Sequence, residues 1–169
     1  FPKRRSSDLH FPDSLKYRTL VNKRIVYGGG GIMPDVFVAV DTSNYSAYYR
    51  TLVRRGIFNT YILEYADKNR AAITSKYKTF EGFKDDFEFP SEDIKAFIKK
   101  GEDAGVKYSE EQYRKSEGEI LMVLKALLAN NIWQTNEYFR IINENDNVIA
   151  EALKVISDKN RYNRILGNR

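Results

Sequence analysis

The 169-residue chain contains no cysteine. Disulfides and thiolate metal sites are therefore excluded. That absence fits an oxidising compartment without establishing one. Histidine is nearly absent too: His10 is the single one, and it lies in a basic, irregular N-terminal segment. A helix-borne metal site built on histidine or a Ser–His–Asp triad would have to use it. A lone histidine in such a place reads as an exposed or lightly packed side chain rather than a catalytic one. No apolar run approaches the length of a bilayer span. There is no internal repeat and no low-complexity tract. The chain opens FPKRRSSD, with neither an initiating Met nor a signal peptide, and is expected to derive from a longer precursor.

Hydrophobic residues make up 42% of the chain and aromatics 14%. That is enough for one domain with a core, or one domain plus a fragment of another. Charged residues reach 30%, but beside so many aromatics this does not describe a disordered chain. The net charge of +5 is localised: residues 1–27 hold seven basic and two acidic side chains, leaving 21 of each sign elsewhere. The body of the protein is thus neutral. A nucleic-acid binder carries its basic stripe on a folded face, so no nucleic-acid partner is expected.

The chain changes character near Asp41. Before it, Tyr17 to Val21 and Lys23 to Tyr27 read as extended segments with a bend at Asn22. Asp35 to Val40, DVFVAV, reads as a strand buried on both faces, with Pro34 at its start. After it, the apolar period becomes helical. Ser43 or Asn44 would cap a helix carrying Tyr45, Tyr48, Tyr49, Leu52 and Val53, with Gly56 as its stop. Phe58, Tyr61, Ile62 and Tyr65 form the stripe of a second helix, and Arg70 to Tyr77 is expected to be helical too. Phe80, Phe83, Phe87 and Phe89 are expected to plug a core from a loop or short helix. Ser91 would cap the next helix, with Ile94, Phe97 and Ile98 facing inward and Gly101 and Gly105 marking its end. Ser109-Glu110-Glu111-Gln112 has the spacing of a capping box. It opens a long, central helix with Tyr113, Ile120, Leu124, Leu127, Leu128 and Asn131 on one side. Trp133, Tyr138, Phe139 and Ile142 continue the pattern. Asp146 caps a last helix with Ile149, Ala152, Leu153 and Ile156.

Catalytic signals are sparse. Ser14 with Lys16, and Ser75 with Lys76, could be written as Ser–Lys dyads, but neither sits on a motif that would expose the serine. Asp85-Asp86-Glu88 and Glu110-Glu111 read as a solvated loop and a helix start. The run Gly28 to Gly31 is not a phosphate loop, because Ile32-Met33-Pro34 leads into an extended segment instead of a helix N-terminus. It reads as a connection whose backbone takes positive φ or packs closely against other backbone.

The segment VYGGGGIMPDVFVAVDT, Val26 to Thr42, resembles the end of the catalytic core of carboxyl-terminal processing proteases, the tail-specific serine peptidases, and in particular those of Bacteroidota. Arg24, Val26, Tyr27, Gly29 to Ile32, Pro34 and Asp35 follow that pattern. Lys23 stands where the group often has Gly, which puts the bend before the strand in question. Tyr49 to Arg70 and the closing INENDNVIAEALKVI are similar to the family's helical tail, so the resemblance extends over nearly the whole chain.

The resemblance implies a parent serine endopeptidase with a crotonase-like α/β core and, usually, an inserted PDZ domain. It implies a Ser nucleophile and a Lys general base, no cofactor and no metal. The family places both catalytic residues upstream of the glycine run, so no catalytic residue is assigned in this chain, which is expected to be inactive alone. Arg24, Tyr27, Gly28, Gly29, Gly30, Gly31, Pro34 and Asp35 are motif residues with an expected structural role. The implied fold is α+β and mainly α: residues 1–42 as the edge of the protease core, 43–169 as a helical C-terminal domain. The implied partners are protein or peptide substrates acting through the parent enzyme, with a homo-oligomer left open, no nucleic acid and no membrane span. The implied location is the cell envelope, in the periplasm. The alternative is a stand-alone helical module for protein interaction or oligomerisation. If residues 17–40 lack the rest of their sheet, they should pair as a hairpin across Gly28 to Gly31 or with a second copy of the chain.

Overall fold

The computed structural model describes residues 13–28 and 34–167. The fold is α+β and mainly α. Its described elements are a two-stranded antiparallel sheet and helices α1 to α8. By contacts the chain divides into two units. One is Asp41–Asn145; the other combines Phe1–Val40 with Asp146–Arg169. The first of these begins beside the expected change at residue 42, but the final helices group with the N-terminal segment.

The unit Asp41–Asn145 holds α1 (Ala47–Arg54), α2 (Ile57–Lys76), α3 (Phe80–Asp86), α4 (Ser91–Asp103), α5 (Glu110–Ile132) and α6 (Thr135–Ile142). Helix α5 packs against α1, α2 and α6. Ile120, Leu124, Ala126, Leu128 and Ala129 on α5 are all 0% exposed. Leu127, expected in the same stripe, is half-buried. Aromatic rings fill the space around this helix. Phe83 stacks on Phe87 with centroids 4.6 Å apart and tilts against Trp133 at 5.0 Å. Phe97, also 0% exposed, meets Phe58 and Tyr61 at 5.2 and 5.4 Å. Such offset and edge contacts add to the area they bury. The phenylalanine-rich segment after α2 thus does plug the core, from the short helix α3, capped by Thr79, whose Oγ1 accepts from the Gly82 N–H.

Polar contacts fix how α1 meets α5. Ser46, not Ser43 or Asn44, caps α1: its Oγ accepts from the Tyr49 N–H at 3.1 Å. The fully buried Ser116 of α5 accepts from the Ser46 N–H at 2.9 Å and donates to the Asn44 carbonyl. The capping box at Ser109 is only half made. Ser109 Oγ accepts from the Gln112 N–H at 3.5 Å, but Gln112 Oε1 accepts from the Tyr48 N–H at 2.8 Å instead of returning to its own cap. The unsatisfied amides at the start of α1 compete for that side chain and take it. Ser91 is likewise not a cap but the first residue of α4, after Pro90. Gly56, with φ +68°, turns the chain from α1 into α2. Gly101 lies inside α4, where an added Cβ would come within 3.0 Å of Leu52 Cδ2. The helical pattern through Trp133 breaks at that residue (φ −109°, ψ −100°) before α6, which buries Ile141 and leaves Phe139 51% exposed.

In the other unit, β1 (Lys16–Arg18) pairs with β2 (Ile25–Tyr27), with Tyr17 opposite Val26. The hairpin closes through residues 19–24, where the Thr19 N–H donates to the Arg24 carbonyl at 2.9 Å and the Arg24 N–H to Thr19 Oγ1 at 3.0 Å. The bend is therefore near Asn22, with Lys23 at φ +53°. It does not lie across the glycine run. Leu20 and Val21 belong to this turn, 88% and 87% exposed. The expected strand at Asp35–Val40 is not formed. Among the described residues the only strands pair with each other, so DVFVAV has no neighbour to join, and Phe37 and Val40 are 49% and 73% exposed.

Helices α7 (Asn147–Ser157) and α8 (Lys159–Leu166) complete this unit. Asp146 and Asp158 cap them, each accepting two backbone N–H groups through Oδ1. α7 buries no residue; Leu153 and Ile156, expected on a core face, are 55% and 62% exposed.

Two outcomes are expected from this core. Leu124→Ala should lower unfolding free energy in urea by about 2–5 kcal/mol, the range for a buried leucine truncated in a tight core. Acid should weaken the surface pairs between helices. Glu81, through its own amide at the α3 start and then Arg140, and Glu64, through Lys100, are held below the usual carboxylate range. A depressed folded-state value stabilises at higher pH and is lost as pH falls through it. The stability difference between the parent and Glu81→Gln should therefore shrink as pH falls from about 6 to about 3, measured by urea unfolding at each pH.

Candidate functional site

Two of the motif residues, Arg24 and Asp35, meet just before β2. The Arg24 guanidinium forms an ion pair with the Asp35 carboxylate and lies 3.5 Å from the Ile165 carbonyl of α8. The hydrogen bond it donates to Asp35, and then the Asp35 charge, hold the guanidinium above its ordinary value. Arg24 and Asp35 are eleven positions apart. The pair therefore ties the two ends of the segment that contains the glycine run. The arrangement is a clamp: it fixes where the chain re-enters after the glycines, and it presents no nucleophile. Exposed pairs of this kind add little stability, so its effect is on geometry.

Tyr27 closes β2 opposite Lys16 and is half-buried. The Gly28 N–H donates to the Leu15 carbonyl at 2.8 Å, extending the ladder by one step. A Cβ on Gly28 would lie 2.6 Å from Cε2 of Tyr17. The first glycine thus lies directly under the Tyr17 ring of the facing strand, which would have to move aside for a side chain here, and neither positive φ nor close backbone contact occurs at it. Gly29, Gly30 and Gly31 lie outside the described residues, as does His10. Pro34 is exposed at the far end of the run.

The two Ser–Lys pairs carry the wrong electrostatics for a general base, which needs a lysine held neutral by burial or by nearby cations. The Asp13 carboxylate holds Lys16 above its ordinary value. Lys76 is likewise raised by its hydrogen bond with Tyr77, 4.9 Å from that ring's centre. One described lysine is shifted the other way: burial lowers Lys125, whose Nζ donates to the Phe87 carbonyl at 2.7 Å. No sequence signal marked it, because it occupies an ordinary position on an amphipathic helix. Asp85, Asp86, Glu88, Glu110 and Glu111 are exposed, but Asp85 and Asp86 end α3 instead of lying in a loop. Among the described residues no three His, Cys, Asp or Glu side chains could hold a metal ion, and no helix is long and apolar enough to cross a membrane.

No curated protein matches the chain, and no solved structure does. Residues 48–134 match DUF8443, a family of unknown function. The matched region is just over half of the 169 residues and falls wholly inside Asp41–Asn145. It takes in Tyr48, Phe83, Phe97 and Leu124, the residues that build the aromatic and leucine core. A match across that core identifies the chain as a member of the DUF8443 family.

Proposed function

We infer that the chain is the C-terminal part of a serine endopeptidase of the carboxyl-terminal processing type, with its Ser and Lys upstream of Phe1. The observation that carries this reading is the segment Asp35–Val40. It has the composition of a buried strand, yet it forms none, and Phe37 and Val40 stand open to water. A two-stranded hairpin is marginal by itself, and apolar strand-like segments left uncovered are unusual in a complete sheet. Both features suit a sheet edge whose remaining strands belong to a protease core. The Arg24–Asp35 clamp and the close packing of Tyr17 on Gly28 suit a motif that shapes the backbone. In this reading the chain supplies structure, and substrate chemistry takes place elsewhere in the parent protein, in the periplasm.

A second reading is favoured by one observation: the DUF8443 match lies wholly within the helical unit, which has its own core. That unit would then be an interaction module that travels with different neighbours.

Reading the gene upstream of Phe1 and expressing the longer protein distinguishes the two. The longer protein should cleave an unfolded protein substrate, and replacing its upstream nucleophilic Ser by Ala should abolish cleavage. The 169-residue chain should leave the same substrate intact. An upstream region without a protease core would leave the interaction module. Cleavage by the chain alone, lost on replacing one of its own serines, would mean the active site lies within it.

A further inference from the structure

An open groove of about 740 Å³ runs along α5 between the start of α4 and the segment that joins α3 to α4. Its apolar surface includes Phe89, Ile94, Leu121 and Met122. Along α5 it extends from Tyr113 to Lys125. At ~1.5 Å per helical residue that is roughly 18 Å, the length of about five or six residues of extended chain. The groove lies inside Asp41–Asn145 and takes no residue from Val26 to Thr42.

Two features point to what fits there. The first is the backbone of Glu88 and Phe89. Phe87, at φ −81° and ψ 125°, leads into this stretch in extended conformation. Among the described residues no hydrogen bond forms at the N–H or C=O of Glu88 or Phe89. Two residues with free donors and acceptors, lying between the extended Phe87 and Pro90 (φ −55°, ψ 147°) beside an apolar groove, can hydrogen-bond the backbone of an incoming extended chain. The second is Lys125. It is half-buried, uses one of its three donors on the Phe87 carbonyl at 2.7 Å, and forms no ion pair among the described residues. Of the other charges at the groove, Arg114 is held by Glu110 at 2.9 Å. Counting Lys95, Arg114 and Lys125 against Glu88 and Glu117, the lining has one positive charge in excess.

We propose that this groove binds an extended peptide segment of another protein, with apolar side chains in the groove and one carboxylate paired with Lys125. Its backbone would hydrogen-bond with Glu88 and Phe89. The apolar side chains would cover Ile94 and Leu121. The carboxylate would reach a half-buried ammonium with donors to spare, where water screens charge less than at the open surface. An open trough suits a chain that enters and leaves at its ends; a small amphiphile would be better enclosed.

The test uses the full 169-residue chain and three fluorescein-labelled, acetylated and amidated nonapeptides, read by fluorescence anisotropy. One alternates Leu and Thr around a central Glu; the second carries Lys in place of that Glu; the third carries Ser in place of every Leu. The first should saturate with a Kd of roughly 10–100 µM, and the other two should bind at least about tenfold more weakly. Lys125→Met should weaken the first peptide about tenfold and bring it level with the second, whereas Lys125→Arg should retain binding. Circular dichroism and thermal unfolding of both variants confirm the fold. Failure of the first peptide to saturate by about 1 mM, equal binding of all three peptides, or no loss with a folded Lys125→Met would overturn the proposal. So would Lys125-dependent binding of laurate without binding of the first peptide, which would make the groove a site for amphiphiles.

Discussion

Ile120, Leu124 and Leu128 recur every four residues along α5, and each is fully buried. This spacing keeps one stripe of the helix turned toward its neighbours over more than two turns. Around that stripe the unit Asp41–Asn145 is assembled: α1 and α2 on the side of Leu52 and Ile62, α6 closing against it through Ile141. Aromatic rings then fill what the aliphatic side chains leave. Phe83, Phe87 and Trp133 form one group, and Phe58, Tyr61 and Phe97 another. Rings of this size bury much surface from few residues, so short elements such as α3 can contribute fully to the core.

Within this apolar frame a few polar groups set position. Ser116 is fully buried yet holds both the Ser46 N–H and the Asn44 carbonyl, and Gln112 holds the Tyr48 N–H. These contacts lock the first turn of α1 onto α5, because moving either helix would leave buried donors unpaired. Tyr61 and Tyr65 act similarly at α4: their hydroxyls donate to the Asp93 carbonyl oxygen at 2.7 Å and to its carboxylate at 2.9 Å. Burial keeps both phenols protonated far above neutral pH. Ion pairs such as Glu64–Lys100 and Glu81–Arg140 lie outside this core, where water screens them.

The unit formed by the two chain ends follows a different logic. It buries little, and its order comes from hydrogen bonds and charge. Asp146 and Asp158 cap their helices, Arg161 pairs with Glu151, and Arg24 reaches both Asp35 and the end of α8. Several of its apolar side chains, Leu20, Val21, Val40 and Ile156 among them, are left in water. A helical unit with a closed core thus accompanies an open one, and both the protease reading and the interaction-module reading grow from that contrast.

Most of the helices were legible in the sequence because their signals are local; the helix opened by Asp146 was expected to be the last, but α8 follows it. The 3.6-residue apolar period, the Asp146 and Ser109 caps and the phenylalanine cluster each act within a few residues and appear in the structure where expected. The failures share a cause as well. Gln112 was taken from its own cap by Tyr48, Ser46 displaced Ser43 and Asn44 as a cap, and DVFVAV stayed out of any sheet. Each of those outcomes depends on which distant group competes for a donor, or on whether a neighbouring strand exists. The motif from Arg24 to Asp35 was visible as a pattern, but the ion pair joining its ends required the chain to fold back. The close approach at Gly28 came from the Tyr17 ring eleven residues earlier. Lys125 had no signature at all: a lysine on an amphipathic helix is ordinary until packing buries its stem and sets its ammonium against the Phe87 carbonyl and the Phe83 ring.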